Sequence, residues 1–154
     1  MRDKKISARD YLKQLEILDM QINDDLAELH NMKLSACSTG GIDYSKDRVQ
    51  SSTVGDKLCK DVIRYTMFEE QINKEIDEFF DAKNQIIREI RGLHDKRYIQ
   101  VLTKIYVQFK SVKNAAQEMK LSYSYTIDLH KQALEAFENA YDNLHYLTQL
   151  FGEQ

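Results

Sequence analysis

The stretch KNAAQEMKLSYSYTIDLHKQAL, Lys113 to Leu134, holds a pair of small residues, a break and a Ser-Tyr alternation in a chain that otherwise reads as continuous helix. Ala115-Ala116 lets a crossing helix approach closely, and Met119 to Ser122 makes a tight turn with the apolar Leu121 inside it. Ser111 and Ser122 suit N-caps, because a serine hydroxyl accepts from the backbone amides of a first helical turn. The reading is a short helix over 112–119 and a longer one from Tyr123 towards Leu147. Two helices crossing around small residues and joined by a turn of a few residues form the helix-turn-helix pattern, in which the break aims the second helix.

Upstream of this unit, Asp95 caps a further short helix carrying Tyr98, Val101, Leu102 and Ile105, and QFKS turns the chain into Ser111. Before Gly92 the pattern is of another kind. From Ser7, with Asp10 in the capping-box position, Tyr11, Leu18 and Met32 fall on one seven-residue series and Leu15, Ile22, Leu29 and Ala36 on the interleaved one. Gly40-Gly41 then costs a helix about 2 kcal/mol relative to two alanines, so a loop is expected at about 38–54. A second heptad segment opens near Gly55, with Tyr65, Ile72, Phe79, Ile86 and Leu93 on one series and Val62, Ile76 and Ile90 on the other. Stripes this narrow cannot be buried by one helix alone.

The expected fold is therefore all-α. Residues 1–93 form a long, coiled-coil-like antiparallel helical hairpin that also serves as an oligomerisation arm, and residues 94–154 form a separate helix-turn-helix domain with an extended last helix. Leu15, Ile22, Leu29, Tyr65, Ile72, Ile76, Phe79 and Ile86 are the side chains expected at the subunit contacts of a homo-oligomer. The stripe Tyr141, Leu144, Leu147, Leu150 and Phe151 continues the last helix, and the fragment left after removing residues 1–92 is expected to fold by itself.

Composition supports this class. The chain has 154 residues, no Pro, no Trp and only 5 Gly, which removes most strand-turn punctuation. No apolar run approaches the roughly 18 residues of a membrane span, and no apolar segment follows the charged N-terminus, so the expectation is a soluble cytoplasmic protein without a membrane partner. Cys37 and Cys59 have no CxxC or CxxH partner, and His30, His94, His130 and His145 form no i,i+4 pair, so no metal or other cofactor is expected. With no Gly-rich phosphate loop and no nucleophile elbow, the sequence holds nothing that points to an enzyme.

Charge points towards nucleic acid. Between Asp95 and Glu138 seven Lys/Arg stand against five Asp/Glu, whereas the first 94 residues carry 15 basic and 18 acidic side chains. Lys110, Lys113, Lys120 and Lys131 are the expected phosphate contacts with double-stranded DNA. The helix that would read bases carries no Arg. Its readers would be Tyr123, Ser124 and Tyr125 through hydroxyls, Ile127 against a thymine methyl and Asp128 accepting from a cytosine amine. Leu129, Ala133 and Phe137 should face inward, with His130 a packing residue.

On Arg97-Tyr98, Val101-Leu102, Ala115-Ala116, Leu121-Ser122, Ser124 and Ala133-Leu134, the segment 97–134 resembles region 4 of the sigma factors and related phage regulators. With ARDYLKQLEILDMQIN near the N-terminus, DRVQSS (Asp47 to Ser52) before VGDK, and IDEFFDAKNQIIREI in the long helix, nearly the whole chain resembles the ArpU/RinA type of phage late-gene transcriptional regulators. That resemblance implies a phage- or prophage-encoded regulator in the bacterial host cell that activates packaging or other late operons. Lys120 departs from it, since the turn position is usually Gly and a left-handed non-Gly residue costs about 1–2 kcal/mol. Two alternatives differ in kind: a DNA-packaging protein of the small-terminase sort, and a protein-interaction module that binds RNA polymerase or a host regulator.

Overall fold

The structure is a computed structural model that describes residues 5–38 and 51–148, without the side chains of 38 and 51–54. Five α-helices follow one another: α1 (Ala8–Ser38), α2 (Ser51–Arg91), α3 (Lys96–Leu102), α4 (Val112–Met119) and α5 (Tyr123–Ala140). No strand occurs among the described residues, and no helix among them is long and apolar enough to cross a membrane. The fold is all-helical, as the heptads and the absence of Pro require.

The helix starts follow local capping chemistry. The Ser7 hydroxyl accepts from the Asp10 amide at 3.2 Å and donates to the Asp10 carboxylate at 2.8 Å, a reciprocal pair that satisfies one orphan amide and orients the acid. Asp95 accepts from the Arg97 amide, Ser111 from Asn114 and Ser122 from Tyr125, at 2.9, 3.2 and 3.2 Å. α2 begins at Ser51, so Gly55 lies inside the helix and not at its start. The helical hydrogen bonds on either side of Gly55 outweigh its propensity cost of about 1 kcal/mol. Of the loop string, residues 47–50 lie outside the described residues and Ser51-Ser52 belong to the first turn of α2. Gly40-Gly41 also lies outside them.

The chain divides into two compact units, one of Met1–Asp19 with Glu78–Gln154 and the other of Met20–Asp77. The division does not fall at Gly92–Asp95. In the first unit the core takes Tyr11, Leu12, Leu15 and Leu18 from α1 and Phe79, Ala82, Ile86 and Ile90 from α2, together with Val101, Leu102, Tyr106, Leu129, Ala133 and Phe137. Phe137 is fully buried, with the Tyr11 and Tyr141 rings 5.9 and 4.9 Å from its own. The short helices alone have too little apolar surface to enclose a ring of that size, and the ends of the two long helices complete the enclosure.

α5 ends at Ala140 rather than running towards Leu147, and Tyr141 is extended, with φ −130° and ψ 99°. The segment that follows folds back on α1. The Ile6 amide donates to the Leu144 carbonyl at 3.1 Å, Leu147 donates to the Gln14 side chain at 2.9 Å, and Leu144 is buried. Burying Leu144 against this unit gains more than two further turns of exposed helix. Leu150 and Phe151, expected on the same stripe, lie outside the described residues.

In the second unit, α1 and α2 run antiparallel. Lys33 pairs with Glu69 at 3.2 Å and sits over the Tyr65 ring, while Ala36 lines one hollow with Asp61 and Arg64. Ile22, Leu29 and Ile72 are buried here, and Tyr65 and Ile76 are half-buried. Leu15, Phe79 and Ile86 are buried in the first unit. Six of the eight side chains expected at subunit contacts are thus already packed within one chain, because the two series face each other across the hairpin. Met20, Leu34, Ile63 and Met67 remain more than half exposed.

Candidate nucleic-acid interface

α3 does not end at an ordinary turn. Thr103–Val107 widens into a π-helical turn, the Gln108 amide donates to the Thr103 carbonyl at 3.0 Å, and Phe109 takes the left-handed conformation at φ 57°. This wide turn swings the chain from α3 into Ser111. Nothing in the local sequence marks it, since π-turns carry no residue signature comparable to a cap.

α4 and α5 meet at Lys120, which is left-handed at φ 56° and ψ 41°. The Leu121 amide reaches back to the Ala116 carbonyl at 2.9 Å, so the turn closes as a Schellman motif with a lysine in the usual glycine place. Ala115 and Ala116 are buried, and Thr126, fully buried on the facing turn of α5, donates to the Ser122 carbonyl at 2.8 Å. Leu129, Ala133 and Phe137 point inward, as their spacing requires. His130 is buried as well, with Nε2 2.7 Å from the Tyr106 hydroxyl. Burial and then the nearby Arg9 guanidinium hold the His130 imidazole below its ordinary pKa, so it is neutral in this core.

The opposite face of α5 is open. Ser124, Asp128 and Lys131 are exposed at helical spacing on one side, with Ile127 half-buried at its edge and Tyr123 57% exposed at the N-terminus. Tyr125, although 41% exposed, is turned towards α3, where its hydroxyl accepts from an Arg97 guanidinium nitrogen at 2.7 Å. The sequence motif contains Arg97 but does not suggest this role. The Arg-free helix α5 thus has an arginine brought to its flank by α3, with the Arg97 side chain still 60% exposed.

The expected phosphate ligands differ among themselves. Lys110 is bonded to Glu118, which also takes Lys104 at 2.6 Å, and these two hydrogen bonds hold the Glu118 carboxyl below its usual range. Lys113, Lys120 and Lys131 are exposed and pair with no carboxylate among the described residues. Lys113 and Lys120 stand at the two ends of α4, and Lys131 one turn beyond Ile127, so three free cations frame the open face. No group of three metal-ligating side chains occurs among the described residues. Compared with known proteins, the chain matches no family model, and no curated protein and no solved structure is significantly similar to it.

Proposed function

We propose that this chain is a DNA-binding transcription regulator of the helix-turn-helix kind, working as a homo-oligomer in the cytoplasm of a bacterial host and activating phage or prophage late genes. One observation carries the reading. A left-handed turn at Lys120 sets α5 against α4 so that Ser124, Ile127 and Asp128 form an open edge framed by the free cations Lys113, Lys120 and Lys131. Cations that frame a polar helix edge suit a duplex whose phosphates position it and whose bases are read in the major groove. Subunit contacts would then run over apolar side chains left open in the second unit, Ile63 and Met67 among them. The late-gene assignment rests on the family resemblance.

Selection of tight binders from a pool of random duplexes, followed by fluorescence anisotropy, tests this. The selected duplex is expected to bind about 10³-fold or more tighter than a scrambled one. Ser124→Ala and Asp128→Ala should each lose about 1–3 kcal/mol on the selected duplex and little on the scrambled one. Lys113→Gln should weaken both alike and reduce the slope of log K against log salt by about 1. A pool that yields no sequence above the non-specific level would overturn the reading. It would leave the contact with RNA polymerase or a host regulator, to which a recognition helix with exposed Asp128 and no Arg is also suited.

A further inference from the structure

Within the first unit a groove of about 530 Å³ runs between the first turns of α1 and the edge of α5. One bank carries Arg9 and Lys13, exposed and one helical turn apart, and the other carries Lys110 and Lys131. Glu16 is the single carboxylate on its wall and Lys110 is already bonded to Glu118, so Arg9, Lys13 and Lys131 are the cations left to concentrate positive potential over a concave surface. The floor is fixed. Tyr106 and His130 line it beside Arg9, with the Tyr106 hydroxyl 2.7 Å from Nε2 of His130. At the α4 end, Phe109 holds a left-handed conformation that an aromatic residue adopts only at a cost of about 1–2 kcal/mol. That strained turn places Lys110 on the bank.

The groove is continuous with the open edge of α5, because Ile127 and Lys131 belong to both. A duplex whose base edges meet Ser124 and Asp128 has its sugar-phosphate strands on either side of a major groove about 12 Å wide. We propose that Arg9 and Lys13, in the helix that otherwise builds the arm, are phosphate contacts of the same DNA interface and hold one backbone strand against Lys131. This inference rests on the DNA-binding reading above and extends its interface to a second, sequence-distant element.

The experiment is a salt titration of the full-length protein on the selected and the scrambled duplex, with KCl varied over roughly 50–200 mM, where counterion release dominates affinity. Lys13→Gln is expected to weaken both duplexes alike and to lower the salt slope by about 1. Arg9→Gln should do the same. Because Arg9 also lies beside Tyr106 and His130, Arg9→Lys, which keeps the charge, is measured beside it and should retain most of the slope. Lys13 has no carboxylate partner among the described residues, so Lys13→Gln is read without concern for folding. If Lys13→Gln and Arg9→Gln leave slope and affinity unchanged while Ser124→Ala still relaxes specificity, the groove lies off the DNA path and this inference alone fails. Its cations would then await an acidic protein segment. If Ser124→Ala and Lys113→Gln are also without effect, the interface itself fails and the inference falls with it.

Discussion

The Tyr141 hydroxyl donates to the Glu89 carbonyl at 2.8 Å and fills the space beside Gly92: a methyl group at position 92 would stand 2.6 Å from the Tyr141 hydroxyl oxygen. Gly92 is therefore small because another side chain occupies its space, in addition to ending α2. Burial and the nearby Glu89 carboxylate both raise the Tyr141 phenol above its ordinary pKa, so it remains a protonated donor.

Gly92→Ala should accordingly destabilise the protein by about 1–3 kcal/mol, the usual cost of overpacking, and lower the melting temperature by several degrees. Tyr141→Phe by itself should cost about 1 kcal/mol for the lost hydrogen bond. Combined with Tyr141→Phe, which removes the obstructing oxygen, Gly92→Ala should be better tolerated. A double-mutant cycle by thermal denaturation checks this, and purely additive losses would mean that the two groups do not meet.

Lys120→Gly separates stability from binding at one position. Glycine removes the left-handed strain of about 1–2 kcal/mol but adds unfolded-state entropy, for a net gain of about 0.5–1 kcal/mol. On the proposed DNA-binding function, a phosphate-contacting cation is lost in the same step. The variant should melt higher and bind DNA with a salt slope smaller by about 1, two measurements that a merely solvated lysine would not move in opposite senses.

His130 gives the fold a pH dependence whose sign follows from its lowered pKa. The unfolded chain binds a proton near the ordinary value of 6.5, while the native imidazole, buried and beside Arg9, resists it. Stability is therefore full above about pH 7.5, declines as pH falls through the unfolded value, and stops declining from this cause once the native group titrates. Denaturant midpoints between about pH 8 and 5 should fall for the wild type. His130→Gln, whose amide oxygen can still accept from Tyr106, should flatten that part of the slope.

The fragment 94–154 should fail to fold cooperatively, contrary to the expectation from its pattern. It lacks Tyr11 against Phe137, the Ala8 amide that donates to Glu138 at 2.9 Å, the Glu89 carbonyl under Tyr141 and the Gln14 side chain that accepts from Leu147. Circular dichroism of the fragment should show reduced helicity and no sharp melting transition; a cooperative transition would show that the short helices suffice as a core.

Four helix starts and the turn at Lys120 were legible residue by residue, whereas the start of α2 at Ser51 and the wide turn after α3 were not. Ser7 with Asp10, Asp95, Ser111 and Ser122 each bond an amide two or three positions away, and the strain at Lys120 comes from its own Cβ, so no distant partner enters. The inward faces of α1, α2 and α5 were legible for a related reason, since helical periodicity assigns a side to every residue before any partner is known. The end of α5 was hidden although Asn139, Asp142 and Asn143 mark a weak point there, because a buried place for Leu144 decides the issue. Only the tertiary structure brings Arg97 to Tyr125, Arg9 to Tyr106, and Arg9 and Lys13 to a groove shared with Lys110 and Lys131. These pairs are separated by 28 residues or more along the chain. Capping energies are set within one helical turn, but contacts between distant residues depend on how several apolar faces are closed together, which no single segment encodes.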